Sequence, residues 1–104
     1  MTWGYLIIWE FCSKAGSERR FEEVYGSNGI WARFFQQDQE FIGTELIRDF
    51  TVARRYLTLD FWTSREAYEQ FRRRHANQYQ VLDQECDALI EQEREVGRFE
   101  RLRS

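Results

Sequence analysis

Two side chains in the second half of the chain have the chemistry to exchange a proton with a ligand. Asp60 lies in the middle of an apolar stretch, where a carboxylate needs a partner or a raised pKa. His75 is the single histidine, and a neutral imidazole beside a pocket can accept a phenolic proton. Each also has a structural interpretation: Asp60 as the ion-pair partner of Arg54, Arg55 or an arginine of the 72–74 run, and His75 as a hydrogen-bonded core residue. These two residues are the candidate catalytic groups.

Asp60 belongs to the stretch 56–62, YLTLDFW, whose alternation predicts a β-strand. One face of this strand carries four side chains: Tyr56, Thr58, Asp60 and Trp62. The opposite face carries three apolar ones: Leu57, Leu59 and Phe61. Neither face is polar enough to lie in water, so we expect both faces of the strand to be covered.

A helix is predicted to begin directly after this strand, because Thr63 and Glu66 have the spacing of a capping box. Its apolar stripe steps by three or four residues through Tyr68, Phe71, His75, Tyr79 and Leu82. A strand that ends in Trp62 and a helix that presents Tyr68 can enclose a small aromatic pocket. We therefore predict that Thr58, Trp62, Tyr68 and Phe71 contact a ligand. The alternative is that Trp62 and Tyr68 only fill the core.

The remaining pattern places this junction in an antiparallel sheet. The other predicted strands cover residues 3–12, 41–48 and 96–102, and short helices capped by Ser17 and Asn28 follow the first strand. The helix after Thr63 is predicted to continue, bent near Gln80, to about Glu93, and the charged run 91–95 is interpreted as its solvated end. This order is the split βαβ pattern of a ferredoxin-like α+β sandwich, a four-stranded sheet with helices on one face.

The length of 104 residues predicts one domain that spans residues 1–104. Aromatic residues make up 17% of the chain, more than a small core can hide, so the surplus must line a pocket or an interface. The first and third strands are apolar on both faces, and the helices cover only one. We therefore expect a homodimer that packs through the bare face of the sheet.

Composition excludes several classes of function. A net charge of −3 and a pI near 5.2 argue against nucleic acid as a partner, and the consecutive arginines 72–74 are interpreted as a solvated face. The sequence has no glycine-rich phosphate loop and no cluster spaced for a metal, so we expect neither metal nor cofactor.

The apolar run 5–9 is too short to cross a membrane. Cys12 and Cys86 lack a CxxC spacing; we favour reduced thiols in a cytoplasmic protein over a disulfide.

Residues 59–68, LDFWTSREAY, resemble the antibiotic biosynthesis monooxygenase family, in which a strand that ends in Trp is followed by a helix that starts EAY or EAF. The stretches 5–11, 43–46 and 97–99 fit the same family, so the resemblance covers nearly the whole chain. It implies a dimeric α/β barrel. The family includes cofactor-free oxygenases of polyphenols, haem-degrading enzymes and proteins without known activity.

The resemblance also implies roles for particular residues. In the quinone-forming oxygenases, an Asn four residues before the Trp and a Tyr six residues after it bind the phenolic substrate; these positions are Thr58, Trp62 and Tyr68. Thr58 can donate a hydrogen bond but lacks the paired donor and acceptor of an amide. The Asn, Trp and His of the haem-degrading members correspond to Trp9, Phe71 and Val81, so the resemblance does not extend to haem.

These observations favour a cofactor-independent monooxygenase that acts on a small aromatic or polyphenolic substrate in a pocket between sheet and helices. Either His75 or Asp60 would serve as the base, and the protein would supply a dry pocket with polar groups that stabilise the anion. The alternative is a non-catalytic dimeric module that binds a small apolar ligand or a partner.

Overall fold

The computed structural model describes residues 2–103 and has four strands and four α-helices. In chain order the elements are β1 (Tyr5–Ser13), α1 (Glu18–Tyr25), α2 (Ile30–Phe35), β2 (Phe41–Arg48), β3 (Arg55–Trp62), α3 (Arg65–Arg74), α4 (Ala76–Cys86) and β4 (Ile90–Glu100). A single 3₁₀ turn, Asp87–Leu89, joins α4 to β4. All strand pairs are antiparallel, in the order β2-β3-β1-β4. The predicted ferredoxin-like α+β sandwich is confirmed.

The two faces of the sheet differ because the helices cover only one of them. The predicted face of β3 is correct: Tyr56, Thr58 and Trp62 are buried beneath the helices. From β1, Ile7 and Phe11 point to the same side. The opposite face keeps partly or fully exposed apolar side chains: Leu6, Ile8, Ile47, Leu57, Leu59, Phe61 and Phe99.

The prediction of one long helix up to Glu93 is wrong. The helix breaks at His75, whose φ of −116° and ψ of 28° are not helical, rather than near Gln80. The charged run 91–95 belongs to β4, which begins at Ile90 instead of Val96. Its charges suit an edge strand, because Arg94 pairs with Glu10 of the neighbouring β1 at 3.0 Å.

The helix starts also differ from the predicted caps. The N-cap of α3 is Ser64, whose Oγ accepts a hydrogen bond from the Ala67 amide at 3.2 Å, while the Thr63 hydroxyl donates to Glu40. The N-cap of α2 is Gly29 instead of Asn28. A Cβ at Gly29 would lie 2.3 Å from the Val24 carbonyl oxygen, so this close passage between α1 and α2 requires glycine. Ser17 occupies the N-cap of α1 without a capping bond.

Two smaller findings concern the surface and the thiols of residues 2–103. No helix in this range is long and apolar enough to cross a membrane. Cys12 and Cys86 are both free thiols, Cys12 partly exposed in β1 and Cys86 buried at the end of α4.

Candidate functional site

The antiparallel register arranges the helix-facing side chains of the sheet in rows that run across the four strands. From β2 to β4, the rows are Phe41–Trp62–Tyr5–Glu100, Thr44–Asp60–Ile7–Arg98, Leu46–Thr58–Trp9–Glu95 and Arg48–Tyr56–Phe11–Glu93. The helices pack directly on the first row and leave a cavity above parts of the other three. We call these two regions the closed end, meaning the first row with Tyr68 and Phe71 above it, and the cavity end.

The closed end is filled by aromatic rings. Trp62 has no exposed surface, and its ring centroid lies 5.2 Å from that of Phe41, 5.6 Å from Phe35 and 5.5 Å from Tyr68. Phe71 is also fully buried, 5.4 Å from Trp62 between ring centroids. Because these rings are mutually packed, no space for a ligand remains around Trp62 within the described residues.

The cavity end encloses about 340 Å³, a volume suited to a small organic ligand. Aromatic side chains from both layers form most of its walls: Trp9, Phe11, Tyr25, Trp31, Phe35 and Tyr79. The polar lining consists of Thr44, Thr58, Asp60, Arg72, Asp83, Glu93, Glu95 and Arg98. Asp83, Glu93 and Arg98 are exposed residues of α4 and β4, so the cavity opens to solvent between these two elements.

Asp60 is the titratable group in the floor of the cavity. Its carboxylate accepts a hydrogen bond from the Thr44 hydroxyl, with Oγ1 and Oδ1 2.6 Å apart. Burial raises the pKa of Asp60 to about 6, although the Thr44 hydrogen bond acts in the opposite direction. Arg54 and Arg55, expected as ion-pair partners, bind other acids: Arg54 contacts Glu91. Asp60 therefore changes protonation at mildly acidic pH.

Arg72 forms part of the roof and was expected to lie on a solvated face. Its guanidinium carbon lies 3.5 Å from the ring centroid of Tyr79, and its Nη1 donates to the Tyr68 hydroxyl at 2.7 Å. Its Nε is buried and has no hydrogen-bond acceptor within residues 2–103. Only Arg73 and Arg74 of the triplet are exposed as expected. The helical spacing explains this difference, since consecutive residues point in different directions.

Carboxylates line the side of the cavity formed by α4 and β4. Burial raises the pKa of Asp83 and of Glu93. The charge of Asp87 acts in the same direction on both carboxyls, whereas the nearby guanidinium of Arg72 lowers the pKa of Asp83. Glu95 differs because it pairs with Arg98 at 3.1 Å. Within the described residues, the cavity therefore combines two guanidinium groups near Tyr68 with two carboxylates, Asp83 and Glu93, that have no salt-bridge partner.

The structure separates the predicted site residues into three groups. Thr58 and Asp60 line the cavity. Trp62, Tyr68 and Phe71 belong to the closed end, where the Tyr68 hydroxyl contacts the roof residue Arg72. His75 lies outside the cavity, with its ring centroid 4.4 Å from Phe71 and its Nδ1 3.0 Å from Gln78 Oε1.

Trp62 and His75 therefore do not line one cavity. Phe35 of α2 packs over Trp62 and seals it. The break at His75 ends α3 before that side chain can face the cavity, and the roof continues from α4 with Tyr79. The catalytic and ligand-binding roles of the six residues stay predictions.

Sequence reasoning missed several cavity residues. Tyr79 lies on the apolar stripe predicted for the helix after Thr63. Trp9 shares one face of the first strand with Ile7 and Phe11. Both residues could therefore have been found from periodicity. Thr44 could not, because its contact with Asp60 depends on the register between β2 and β3.

No protein-family model matches this chain, and neither does any curated protein. Solved structures do. One is SnoaB from Streptomyces nogalater, a cofactor-independent oxygenase, at 19% identity over 99% of this chain and 97% of that chain, with a TM-score of 0.72. A variant of SnoaB gives a TM-score of 0.74.

Two further structures have the same architecture. PA3566 from Pseudomonas aeruginosa is 12% identical over 99% of this chain and 98% of its own, with a TM-score of 0.67. SO0527 from Shewanella oneidensis is 15% identical over 97% and 93%, with a TM-score of 0.68. At these identities the likeness establishes the fold, and it supports the resemblance to the monooxygenase family seen in the sequence.

Proposed function

We propose that this chain is a cofactor-independent monooxygenase that oxidises a small aromatic or phenolic substrate in the cavity. The observation that carries the proposal is a carboxylate with a raised pKa, Asp60, in the floor of an otherwise mostly aromatic cavity. The fold shared with SnoaB, itself a cofactor-independent oxygenase, supports the same activity. Of the two candidate bases, the geometry favours Asp60 over His75, because His75 does not reach the cavity.

In the proposed reaction, ionised Asp60 removes a proton from the phenolic substrate. The resulting anion is electron-rich at a ring carbon, which gives up one electron to O₂ and then joins the reduced oxygen in a C–O bond. Protonated Asp60 returns its proton to this peroxide. The same carbon then loses its hydrogen as a proton, its C–H electrons form the carbonyl, and the O–O bond breaks. The released OH takes up that proton, so one oxygen atom enters the product and the other leaves as water.

The chain's own side chains perform three tasks in this scheme. The aromatic walls exclude water and hold a flat ring between the layers. Thr58 donates a hydrogen bond from the floor, and the guanidinium of Arg72 adds a positive charge in the roof that favours a negatively charged substrate. Tyr68 positions Arg72 through the contact between its hydroxyl and Nη1. Trp62 and Phe71 act indirectly, as the packed support of these groups.

Oxygen uptake with a panel of polyphenols tests this proposal. The wild-type protein is expected to consume oxygen with at least one of them, and Asp60→Asn is expected to lower kcat by a factor of about 100 or more, the usual contribution of a general base. Asp87→Asn, a change to an exposed carboxylate outside the cavity, is the matched control. Equal rates in the wild type and Asp60→Asn would refute the role of Asp60.

A second candidate function is a non-catalytic module that binds a small ligand or a partner. Two departures from the quinone-forming oxygenases favour it. Thr58 occupies the position where those oxygenases have the substrate-binding Asn, and Trp62 is buried away from the cavity. Such a module would bind aromatic ligands without consuming oxygen, so calorimetry beside the uptake assay separates the two functions. Under either, we expect a cytoplasmic protein, where Cys12 and Cys86 remain reduced.

The proposed active form is a homodimer that packs through the bare face of the sheet. Half-exposed apolar residues of the central strands, such as Ile8 and Leu57, support this interface because they have no cover within residues 2–103. Sedimentation should give a stable dimer at micromolar concentration. Leu57→Asp should yield folded monomer, whereas Ile7→Asp, in the core under the helices, should prevent folding. A wild-type monomer would contradict the proposal.

A further inference from the structure

Arg72 carries a charge that no salt bridge within residues 2–103 neutralises, although the carboxylate of Asp83 is near enough to interact with it electrostatically. No carboxylate of residues 2–103 forms a salt bridge with it, although nine other pairs join arginines to acids. Its contacts are instead the ring of Tyr79 and the hydroxyl of Tyr68, neither of which is an anion. A partly buried guanidinium that has no carboxylate partner within residues 2–103 favours an anionic group from outside the chain.

Arg98 supplies a second guanidinium at the same place. Its Cζ lies 5.6 Å from the ring centroid of Tyr68, and the Cζ of Arg72 lies 5.8 Å from that same centroid. The two cations thus approach one ring from β4 and α3. Arg98 is partly neutralised by Glu95 and is 41% exposed, so Arg72 carries the larger share of the unsatisfied charge.

The position of these guanidinium groups relative to Asp60 sets the size of a ligand. Asp60 and Arg98 lie in the same row of the sheet, separated by Ile7 on the strand between them. Two strand spacings put their Cα atoms about 9.6 Å apart. One or two fused aromatic rings can bridge this separation, with a phenolic oxygen at one side and a second polar group at the other.

The remaining charges determine which way such a ligand lies. Asp83 and Glu93 line the cavity near its mouth without a salt-bridge partner in the described chain, so an anionic group is repelled there. The same group is attracted to the pair of arginines. This asymmetry fixes one orientation for a ligand that carries a single negative charge away from its phenol.

We infer that the ligand of this cavity is a phenolic aromatic acid, whose carboxylate binds between Arg72 and Arg98 while its phenol faces Asp60. The inference rests on the proposed function for the role of Asp60, but the carboxylate site itself requires no chemistry. Arg72 approaches the carboxylate from the roof with the side of its guanidinium that lines the cavity, and Arg98 closes the site from β4.

Calorimetry with three matched probes tests the carboxylate site: hydroxynaphthoic acid, its methyl ester, and the naphthol that carries an aminomethyl group in place of the acid. Near neutral pH, the wild type is expected to bind the acid about tenfold or more tightly than the ester. Arg72→Gln should remove this preference, and Arg72→Lys should restore part of it. Arg73→Gln, an exposed change one residue further along α3, should leave it intact.

Arg98→Gln keeps the test conclusive if Arg72→Gln does not fold, because Arg98 lies on the exposed edge strand. It should lower the preference for the acid relative to the wild type without abolishing it, because Glu95 already neutralises part of the Arg98 charge. Equal affinities of acid and ester in the wild type would overturn the inference, and so would tightest binding of the amine. Oxygen uptake is measured separately. Tighter binding of the acid than of the ester, without oxygen uptake, refutes only the monooxygenase activity. Oxygen uptake with the ester, and equal binding of acid and ester, refutes only the carboxylate site.

Discussion

The closed end and the cavity end of the same sheet face are built from similar aromatic residues, yet one is solid and the other hollow. At the closed end, every side chain of β2, β3 and β1 in the row is aromatic, and α2 and α3 press directly on Trp62. In the next row, Thr44 and Asp60 replace rings. In this sheet, aromatic richness alone does not locate the pocket, and the pocket lies where a carboxylate, Asp60, is set among the rings.

A physical reason underlies this difference. Apolar groups packed tightly around Asp60 would leave its carboxylate with Thr44 as its single hydrogen-bonding side chain in the described chain, at a large desolvation cost. A cavity that admits water or a polar ligand reduces this cost. Trp62 has no comparable demand, apart from an indole N–H that lacks an acceptor within residues 2–103. The tightly packed rings of the closed end can therefore hold in place the strands and helices that form the cavity end.

The two ends should differ most in how much their tryptophan residues contribute to the free energy of unfolding. Trp62→Ala should lower the free energy of unfolding by about 3–5 kcal/mol, because it opens a void among packed rings. Trp9→Ala should cost only about 1 kcal/mol, because that ring is partly exposed to the cavity. Chemical denaturation measures both changes.

Ligand affinity should depend more on Trp9 than on Trp62, which is the reverse of the order expected for stability. Trp9→Ala should weaken binding of the naphthoic acid more than Trp62→Phe does, because only Trp9 lines the cavity. Trp62→Phe keeps most of the ring volume and should mainly lower the melting temperature. Loss of affinity in Trp62→Phe with an unchanged melting temperature would show that the closed end opens to ligand.

Part of this comparison could be predicted from the sequence. The alternation of residues 56–62 assigned Thr58, Asp60 and Trp62 to one face correctly, because strand periodicity is a local property. The same pattern could not tell which part of that face is sealed. That depends on Phe35, which reaches Trp62 from α2, and on the position of the helix break at His75.

The last strand shows the same limit. Glu91 to Glu95 alternate between acids and other polar residues, which fits a solvated helix as well as an edge strand. The pairing of Arg94 with Glu10, which are distant in sequence, belongs to the strand alone. Arg98, and with it the second cation of the proposed carboxylate site, reaches the cavity only because β4 pairs with β1 in this register.

The titration of Asp60 should make the stability of the protein depend on pH. The Asp60 carboxyl ionises near its ordinary value of 3.8 when the chain is unfolded, and at about 6 when folded. Between these values the folded state binds more protons, so the free energy of unfolding falls as pH rises. Above about pH 6 this loss is complete, and it amounts to at most about 3 kcal/mol.

Denaturation of the wild type and Asp60→Asn between pH 4 and 7, at one protein concentration, measures this loss. The asparagine variant cannot ionise, so its stability relative to the wild type should increase as pH rises through the interval. Asp83 and Glu93 also titrate, but their contributions are common to both proteins and cancel in the difference. Parallel curves would mean that Asp60 is not desolvated in the cavity.

The smallest expected effect concerns a single hydrogen bond in the cavity floor. Thr44 donates to Asp60 Oδ1 at 2.6 Å, and a donor of this kind stabilises the ionised carboxylate. Thr44→Val keeps the shape of the side chain but removes the hydroxyl, so the pKa of Asp60 should rise further above its ordinary value. If Asp60 is the base, kcat/KM increases with pH as it ionises, and the midpoint of this increase should move to higher pH in Thr44→Val. Thr58→Val is the matched control, because Thr58 lines the same cavity without a hydrogen bond to Asp60 and should change substrate affinity while leaving the midpoint in place. A midpoint that moves equally in both variants would mean that the profile reports cavity polarity and not the protonation of Asp60.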